Sequence, residues 1–328
     1  MIVVTGGAGF IGSNVVAALG EVGADPVSVV DRLGRGEKWR NLRRHEIDEL
    51  VDPSGLDDFL QRRVGDIDLV VHMGAVSATT EKDADLIVES NLRLSQKIWA
   101  WCARHEVPLI YASSAATYGD GSEGFSDDAD PTALARLKPM NAYGWSKHAF
   151  DRWVIRATSG SGPIPPQWVG LKLFNVYGPN EYHKGAMRSM VAKAYPAAVA
   201  GTPTTLFRSH HPDYPDGGQK RDFVYVKDCV DVILWLMGHR EVNGLFNVGT
   251  GRAQTWLELM GALYAATGKE LAVEWEDIPD EIRDRYQYFT QADMGRLRAA
   301  GYDRPFQSVE EGVADYVSSH LGTDDPYR

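Results

Sequence analysis

Short apolar runs alternating with helical stretches set the rhythm of the first half of the chain. Residues 2–5 (IVVT), 27–31 (VSVVD), 67–72 (IDLVVH) and 107–113 (VPLIYAS) are Val-, Ile- and Leu-rich runs of strand length, and the segments 10–20 and 84–104 between them predict helices. Strands that are apolar on both side-chain rows, with helices between them, belong to a parallel sheet covered on both faces. A helix over 141–157 and a strand over 169–176 (VGLKLFNV) extend the pattern. After Pro179 the rhythm loosens. A loop dense in His, Pro, Asp and Gly (SHHPDYPDGGQKRD, 209–222) is followed by an apolar helix at 226–238, a strand at 245–249, a helix at 254–267 and a short strand at 270–275. GSGPIPPQ (160–167) reads as a surface turn by its Pro and Gly content, and the final TDDPYR is expected to fray. No internal repeat and no low-complexity tract interrupts the pattern. The fold class is therefore α/β, a doubly wound parallel sheet with a smaller C-terminal α/β domain. We expect residues 1–175 to form the first domain and 176–328 mainly the second, with the helix and strand around 226–249 packing back onto the first.

Composition narrows the partners. A formal net charge of −11 leaves no general basic face for nucleic acid or an anionic membrane. Cys102 and Cys229 are far apart and lack any metal-ligand spacing, so they read as buried thiols in a reducing compartment. His210 and His211 lack a third ligand at fixed spacing, so no metal is expected. His72, at a strand end, reads as a satisfied core group. The start, MIVVTGGAGFIG, has no basic leader region and no apolar run reaches membrane-span length, so a cytoplasmic location is expected.

The chemistry begins at TGGAGFIGS. Gly6, Gly9 and Gly12 follow a strand and open a helix, the placement that lets a backbone approach a pyrophosphate at a helix N-terminus. Thus a Rossmann-type dinucleotide site is expected. Asp31 ends the second strand where a carboxylate can hold a ribose hydroxyl, which alone favours NAD. Arg32, Arg35 and Lys38 follow closely and could hold a 2′-phosphate, which favours NADP, or form a solvated turn. NADP is the expected cofactor, with NAD the alternative. In YASSAATYGDG (111–121) and YGWSK (143–147), Ser114 stands at a strand end, and Tyr143 and Lys147 lie one turn apart on a helix. A tyrosine that gives up its proton near neutral pH needs a nearby cation, and Ser114 can share the same substrate oxygen. Ala112, Ala115 and Ala116 leave the floor open.

The glycine triplet, the strand-end serine and YxxxK together resemble the extended short-chain dehydrogenase/reductase family, whose members handle nucleotide sugars. FNVYGPNEYHKGAM (174–187), KRDFVYVKD (220–228), FNVGTGRAQ (246–254), RYQYFTQADMGRLRAAGYDRPF (285–306) and EGV (311–313) resemble the ADP-L-glycero-D-manno-heptose 6-epimerase branch over nearly the whole chain. This resemblance implies a retained NADP, transient oxidation at C6″ of an ADP-heptose substrate, a homo-oligomer (a pentamer) and a role in building the lipopolysaccharide inner core. It also implies that Ser114, Tyr143 and Lys147 form the active-site trio. An enzyme that inverts a carbinol takes hydride from one face and returns it to the other, so it needs an acid/base in both arrangements. Tyr143 can serve one epimer, and Lys184 matches the lysine the family uses for the other; a phosphate contact or a surface lysine is the alternative.

The resemblance also carries over the contacts. Phe10, Ile11, Met73, Gly74, Ala75, Val76, Ser77, Asn91 and Val176 are expected at the cofactor. Asn175, Ala186, Lys193, Phe207, Arg208, Ser209, His210, Arg221 and Tyr286 are expected at the substrate, the arginines as forked donors to diphosphate. Pro53, Met73, Ala186 and Lys193 depart from the family's usual residues. A nucleotide-sugar 4-epimerase, a 4,6-dehydratase and a non-catalytic dinucleotide sensor are the rivals. Ala115 and Ala116 stand where the dehydratases carry an Asp-Glu pair, and the sensor reading does not need the Tyr143/Lys147 pair this chain keeps.

Overall fold

The computed structural model describes residues 1–24, 26–283 and 286–328. Arg285, which opens the string quoted at 285–306, lies outside the described residues. Seven strands build the central sheet: β1 (Ile2–Thr5), β2 (Val27–Val30), β3 (Leu50–Val51), β4 (Leu69–His72), β5 (Leu109–Ser114), β6 (Trp168–Leu173) and β11 (Gly244–Val248). All pair in parallel, in the order β11-β6-β5-β4-β1-β2-β3. The apolar runs are buried on both faces because helices cover both. Val15, Val16 and Leu19 of helix Phe10–Glu21 pack with Val232, Ile233 and Leu236 of helix Val226–Gly238 on one side. Phe59, Trp99, Phe150 and Val154 fill the other. Strand β11 returns the chain to this sheet beside β6, in register from Gly244 opposite Val169 to Val248 opposite Leu173.

Three two-stranded ribbons form the smaller unit. β7 (Asn175–Tyr177) pairs with β10 (Phe223–Tyr225), β8 (Thr204–Phe207) with β13 (Val273–Glu276), and β9 (Lys220–Arg221) with β12 (Gln254–Thr255). A third core, including Val191, Leu259, Leu263, Val313 and Tyr316, lies beneath them. Among the described residues no helix is long and apolar enough to cross a membrane.

The structure departs from the pattern reading in informative places. The run 169–176 is two strands: Phe174 donates its N–H to Val248 O (3.0 Å) and Asn175 to Asp222 O (3.1 Å), so the chain leaves the main sheet between them. The helix at 84–104 contains a π-turn over Val88–Arg93. At 254–267 the helix starts only at Trp256, because Thr255 and Glu258 form a capping box while Gln254 and Thr255 pair with β9. The turn at 160–167 ends in a buried residue, Gln167, whose amide donates to Leu236 O and His239 O. TDDPYR does not fray. Tyr327 is buried, Asp325 pairs with Arg43 and Arg44, and Arg328 reaches Glu21 (2.8 Å). Local composition could not show those distant partners. Helix Met190–Ala200 escaped the pattern because Pro196 sits inside it.

Lys172 of β6 and Asp151 of helix Ala142–Thr158 form an ion pair (3.2 Å) with both side chains fully buried. Asp151 also accepts from Ser113 Oγ (2.7 Å) and Tyr111 OH (3.3 Å), and Lys172 Nζ donates to Thr117 Oγ1 (2.9 Å) and lies 4.7 Å from the Tyr118 ring centre. Removing one partner strands a buried charge. Lys172→Met is expected to lower unfolding free energy by about 3–5 kcal/mol, and the double variant Asp151→Asn/Lys172→Met by less, in denaturant titrations.

Candidate active site

The C-terminal ends of the central strands open into one cleft of about 920 Å³. In open α/β sheets this is where strands and following turns present backbone groups to a ligand. The glycine loop forms its floor. Gly6 has φ +65°, and a Cβ on it would lie 2.6 Å from Gly74 Cα. A Cβ on Gly12 would lie 2.1 Å from Gly6 O, so only glycine lets the helix meet the strand this closely. Helix Phe10–Glu21 starts at Gly9 with no side-chain cap, which leaves its first-turn N–H groups for an anion. These features fit a dinucleotide pyrophosphate. Gly9, Phe10 and Ile11 line the cleft beside them.

Asp31 ends β2 with its side chain largely buried, where Oδ2 accepts from Ala8 N (2.9 Å) and Oδ1 from Arg32 N (2.7 Å) and Lys38 Nζ (2.5 Å). Three donors occupy most of its acceptor capacity. Arg32 itself turns to Asp52 (3.3 Å) at the surface. Met73, Gly74, Ala75, Val76 and Ser77 form a strip along the cleft after β4. Asn91 does not line the cleft. It is fully buried behind that strip, accepting from Val76 N (2.8 Å) and donating to Val76 O (3.0 Å) and Ser146 Oγ (3.0 Å). It thereby ties the strip to the helix that carries Tyr143, from within the π-turn, a distortion common at functional sites.

Ser114 ends β5, and its Oγ accepts from Ala116 N (3.1 Å). Tyr143 and Lys147 follow from helix Ala142–Thr158, which Asn141 caps through Gly144 N. All three reach the cleft. Burial pushes the Tyr143 hydroxyl above its ordinary pKa, Asp151 pushes it the same way, and a hydrogen bond with Ser114 opposes both. Lys147 is buried and donates to Ala112 O (2.7 Å). Burial lowers its pKa to about 8, with Asp151 pulling back up. The cation thus grips the strand beside the tyrosine, and the expected proton-releasing tyrosine sits in surroundings that hold its proton. His72 Nδ1 meets Thr5 Oγ1 (2.6 Å) and Nε2 meets Ser95 Oγ (2.9 Å), so it is a satisfied core group.

Lys184 enters the same cleft from the short helical turn Tyr182–Met187, with Nζ 5.2 Å from the centre of the Phe10 ring. Burial lowers its pKa and Glu181 opposes this. Asn175, Val176 and Lys193 also line the cleft, whereas Ala186 is exposed and its carbonyl faces Lys193 Nζ at 3.5 Å.

The other expected substrate contacts form a separate corner. The Arg221 guanidinium lies 5.4 Å from the Tyr286 ring centre and 5.9 Å from that of Trp256, while Phe207 meets Tyr286 edge-on. Arg208 pairs with Asp216 at the surface (3.4 Å), Ser209 N donates to Asp216 Oδ1 (2.7 Å), and His210 N donates to Tyr288 OH (3.2 Å). Trp256 belongs to both places, lining the cleft and facing Arg221. The sequence reading missed it because an aromatic at a helix start looks like core. It also missed His183, Arg188 and Ser189, whose only signal was proximity to Lys184, and Ser54 and Asp57 after β3. Among the described residues no group of three His, Cys, Asp or Glu is placed to hold a metal ion.

The sequence profile of the NAD dependent epimerase/dehydratase family matches residues 2–249. Over 329 aligned residues that span all of both chains, the protein is 50% identical to the ADP-L-glycero-D-manno-heptose-6-epimerase of Nitratidesulfovibrio vulgaris. The crystal structure of the Helicobacter pylori ADP-L-glycero-D-manno-heptose-6-epimerase superposes with a TM-score of 0.79 at 27% identity, covering 97% of this chain and 95% of that one. The Thermus thermophilus UDP-glucose 4-epimerase, solved as a complex with NAD, superposes with a TM-score of 0.73 at 28% identity, covering 95% of this chain and 96% of that one. The chain belongs to the NAD dependent epimerase/dehydratase family, in the branch of the ADP-L-glycero-D-manno-heptose-6-epimerases.

Proposed function

We propose that the protein interconverts ADP-D-glycero-D-manno-heptose and ADP-L-glycero-D-manno-heptose by transient oxidation at C6″, using a retained NADP. The observation that carries the reading is that Tyr143 and Lys184, from separate elements, enter the same cleft as the glycine loop. Residues 1–175 hold the dinucleotide and 176–328 mainly bind the substrate, with Arg221 and Tyr286 at its nucleotide end.

A nicotinamide dinucleotide held by the glycine loop and the strip from Met73 to Ser77 would supply the hydride acceptor and donor for C6″. The protein handles the hydroxyl proton. For one epimer Tyr143 takes it as the phenolate, which the Lys147 cation one helical turn away would stabilise against the burial that otherwise holds its proton, with Ser114 hydrogen-bonding the same oxygen. For the other epimer the hydroxyl lies on the opposite side, where Lys184 takes it. The depressed pKa of Lys184 favours the neutral amine a base requires. Bound NADP rather than NAD is supported by Lys38, which neutralises the carboxylate that would select an unphosphorylated ribose, and by Arg32 beside it. Ala115 and Ala116 leave no acid for a dehydration. The family resemblance extends the reading to a homo-oligomer in the cytoplasm, which sedimentation of the purified protein would measure.

Incubation of the purified protein with ADP-D-glycero-D-manno-heptose is expected to give a mixture of both C6″ epimers by proton NMR. No conversion with either dinucleotide supplied would point to another nucleotide sugar. Tyr143→Phe and Lys184→Met will each lower kcat/KM by the same factor in both directions, since no variant alters the equilibrium constant. Their half-reactions differ: on mixing with single epimers, the reduced-nicotinamide absorbance should fail to appear for one epimer in Tyr143→Phe and for the other in Lys184→Met. Lys38→Ala should weaken NADP binding by about tenfold, the loss of one charge-assisted contact, while NAD binding holds or improves as Asp31 is freed. Fluorescence titration of the cofactor-free protein measures both.

A further inference from the structure

The loop that carries Lys184 is stitched to the glycine loop by side-chain amides. Asn14 Nδ2 donates at 2.9 Å to both Phe10 O, in the glycine loop, and Pro179 O, in the Lys184 loop. Asn41 Nδ2 repeats the arrangement, donating to Ala8 O (2.9 Å) and Asn180 O (3.1 Å). Two amide groups therefore bridge the same two loops.

Asn180 is the centre of this arrangement. It is fully buried with φ +71°, the left-handed region that costs a side-chain-bearing residue about 1 kcal/mol. Its side chain is satisfied by distant chain: Nδ2 donates to Ser13 Oγ (3.0 Å) and Oδ1 accepts from Arg328 N (2.9 Å). An asparagine that served only a surface turn would bond its own neighbours or water. The backbone then passes at once into the turn that presents Lys184, whose N–H donates to Glu181 O (3.0 Å). The final residues press on the same loop, with Tyr182 OH donating to Pro326 O (2.9 Å) and Tyr327 packed edge-on against Tyr182.

We propose that Asn180 is a positioning residue for Lys184, and that its ties to Ser13, Asn41 and the C-terminal residues register Lys184 against the cofactor-binding loop. The proposal rests on Lys184 as the second acid/base. If Lys184 must reach C6″ while the hydride transfers to a group held by the glycine loop, the two loops must keep a fixed separation. A misplacement of about 1 Å is enough to cost about a hundredfold in rate. Stitching the loops directly to each other fixes that distance independently of the rest of the smaller unit.

Asn180→Gly tests this, because glycine keeps the left-handed backbone and removes only the side-chain ties. In single-turnover mixing with each epimer, the Lys184-dependent cofactor reduction should slow at least about tenfold and the Tyr143-dependent one less than about twofold. The substrate KM should hold while kcat falls. Amide hydrogen exchange over residues 178–188, measured with and without cofactor, should rise in the variant. Asn41→Ala, which removes the separate tie to the Asn180 carbonyl, should reproduce the same bias. Equal slowing for both epimers, or unchanged exchange, would reduce Asn180 to a fold-stabilising role and overturn the proposal. Lys184→Met run alongside separates the two readings. Bias in Lys184→Met without bias in Asn180→Gly overturns positioning alone, whereas full cofactor reduction by both epimers in Lys184→Met overturns the two-base reading and the positioning role with it.

Discussion

The contact between Gly12 and the Gly6 carbonyl is the constraint on which the rest of the site is built. With no Cβ at Gly12, the first helix starts almost on top of the first strand. That approach brings the uncapped helix end to the sheet's C-terminal edge and places Phe10 where Lys184 meets it. It also sets where the Ala8 carbonyl meets Asn41 and where Asn14, one turn along the helix, reaches Pro179 O. A larger residue at position 12 would push the helix away and move every group that refers to it.

Buried carboxylates lie close to Tyr143, Lys147 and Lys184 and are satisfied by their neighbours. Asp151 sits two turns from Tyr143 and one from Lys147 on the same helix, and it is neutralised by Lys172 from the adjacent strand. An unpaired carboxylate there would be far more expensive to bury and would act fully on both groups. Glu181 does comparable work under Lys184, buried and accepting from Ser189 Oγ (2.6 Å) and Tyr316 OH (3.2 Å). In both places burial lowers a lysine's pKa and a nearby carboxylate limits the shift. Lys147 is brought to about 8, and Lys184 is shifted in the same direction.

The sheet topology explains why the chain does not divide cleanly at residue 175. After β6 the chain leaves the main sheet, builds β7 and the Lys184 turn, and returns through β11, which lies against β6. The cleft is therefore walled by the first half of the chain, by segments inserted before that return and by Trp256 after it. Asp222 marks the junction: its carboxylate accepts from Thr250 N (2.7 Å), Gly251 N (2.9 Å) and Ala292 N (2.9 Å), and its carbonyl accepts from Asn175.

Much of the fold was legible because its signals are local. Apolar runs of strand length, the glycine triplet after the first of them and the spacing of Tyr143 and Lys147 each follow from the period of a strand or a helix. Asn91 was placed near the cofactor strip, yet its task of joining Val76 to Ser146 depends on a π-turn that no spacing announces. Lys184 could be named, but the amides that hold its loop come from residues 14 and 41, and the backbone N–H that fixes Asn180 comes from residue 328. The sequence alone determined the parallel sheet, the glycine loop and the helix that carries Tyr143 and Lys147, because hydrophobic period and glycine sterics act between near neighbours. Only the tertiary structure decided which distant carbonyls each buried asparagine would satisfy, that the last six residues would dock, and hence where Lys184 stands, because buried polar groups take their partners from whichever chain the packed core brings beside them.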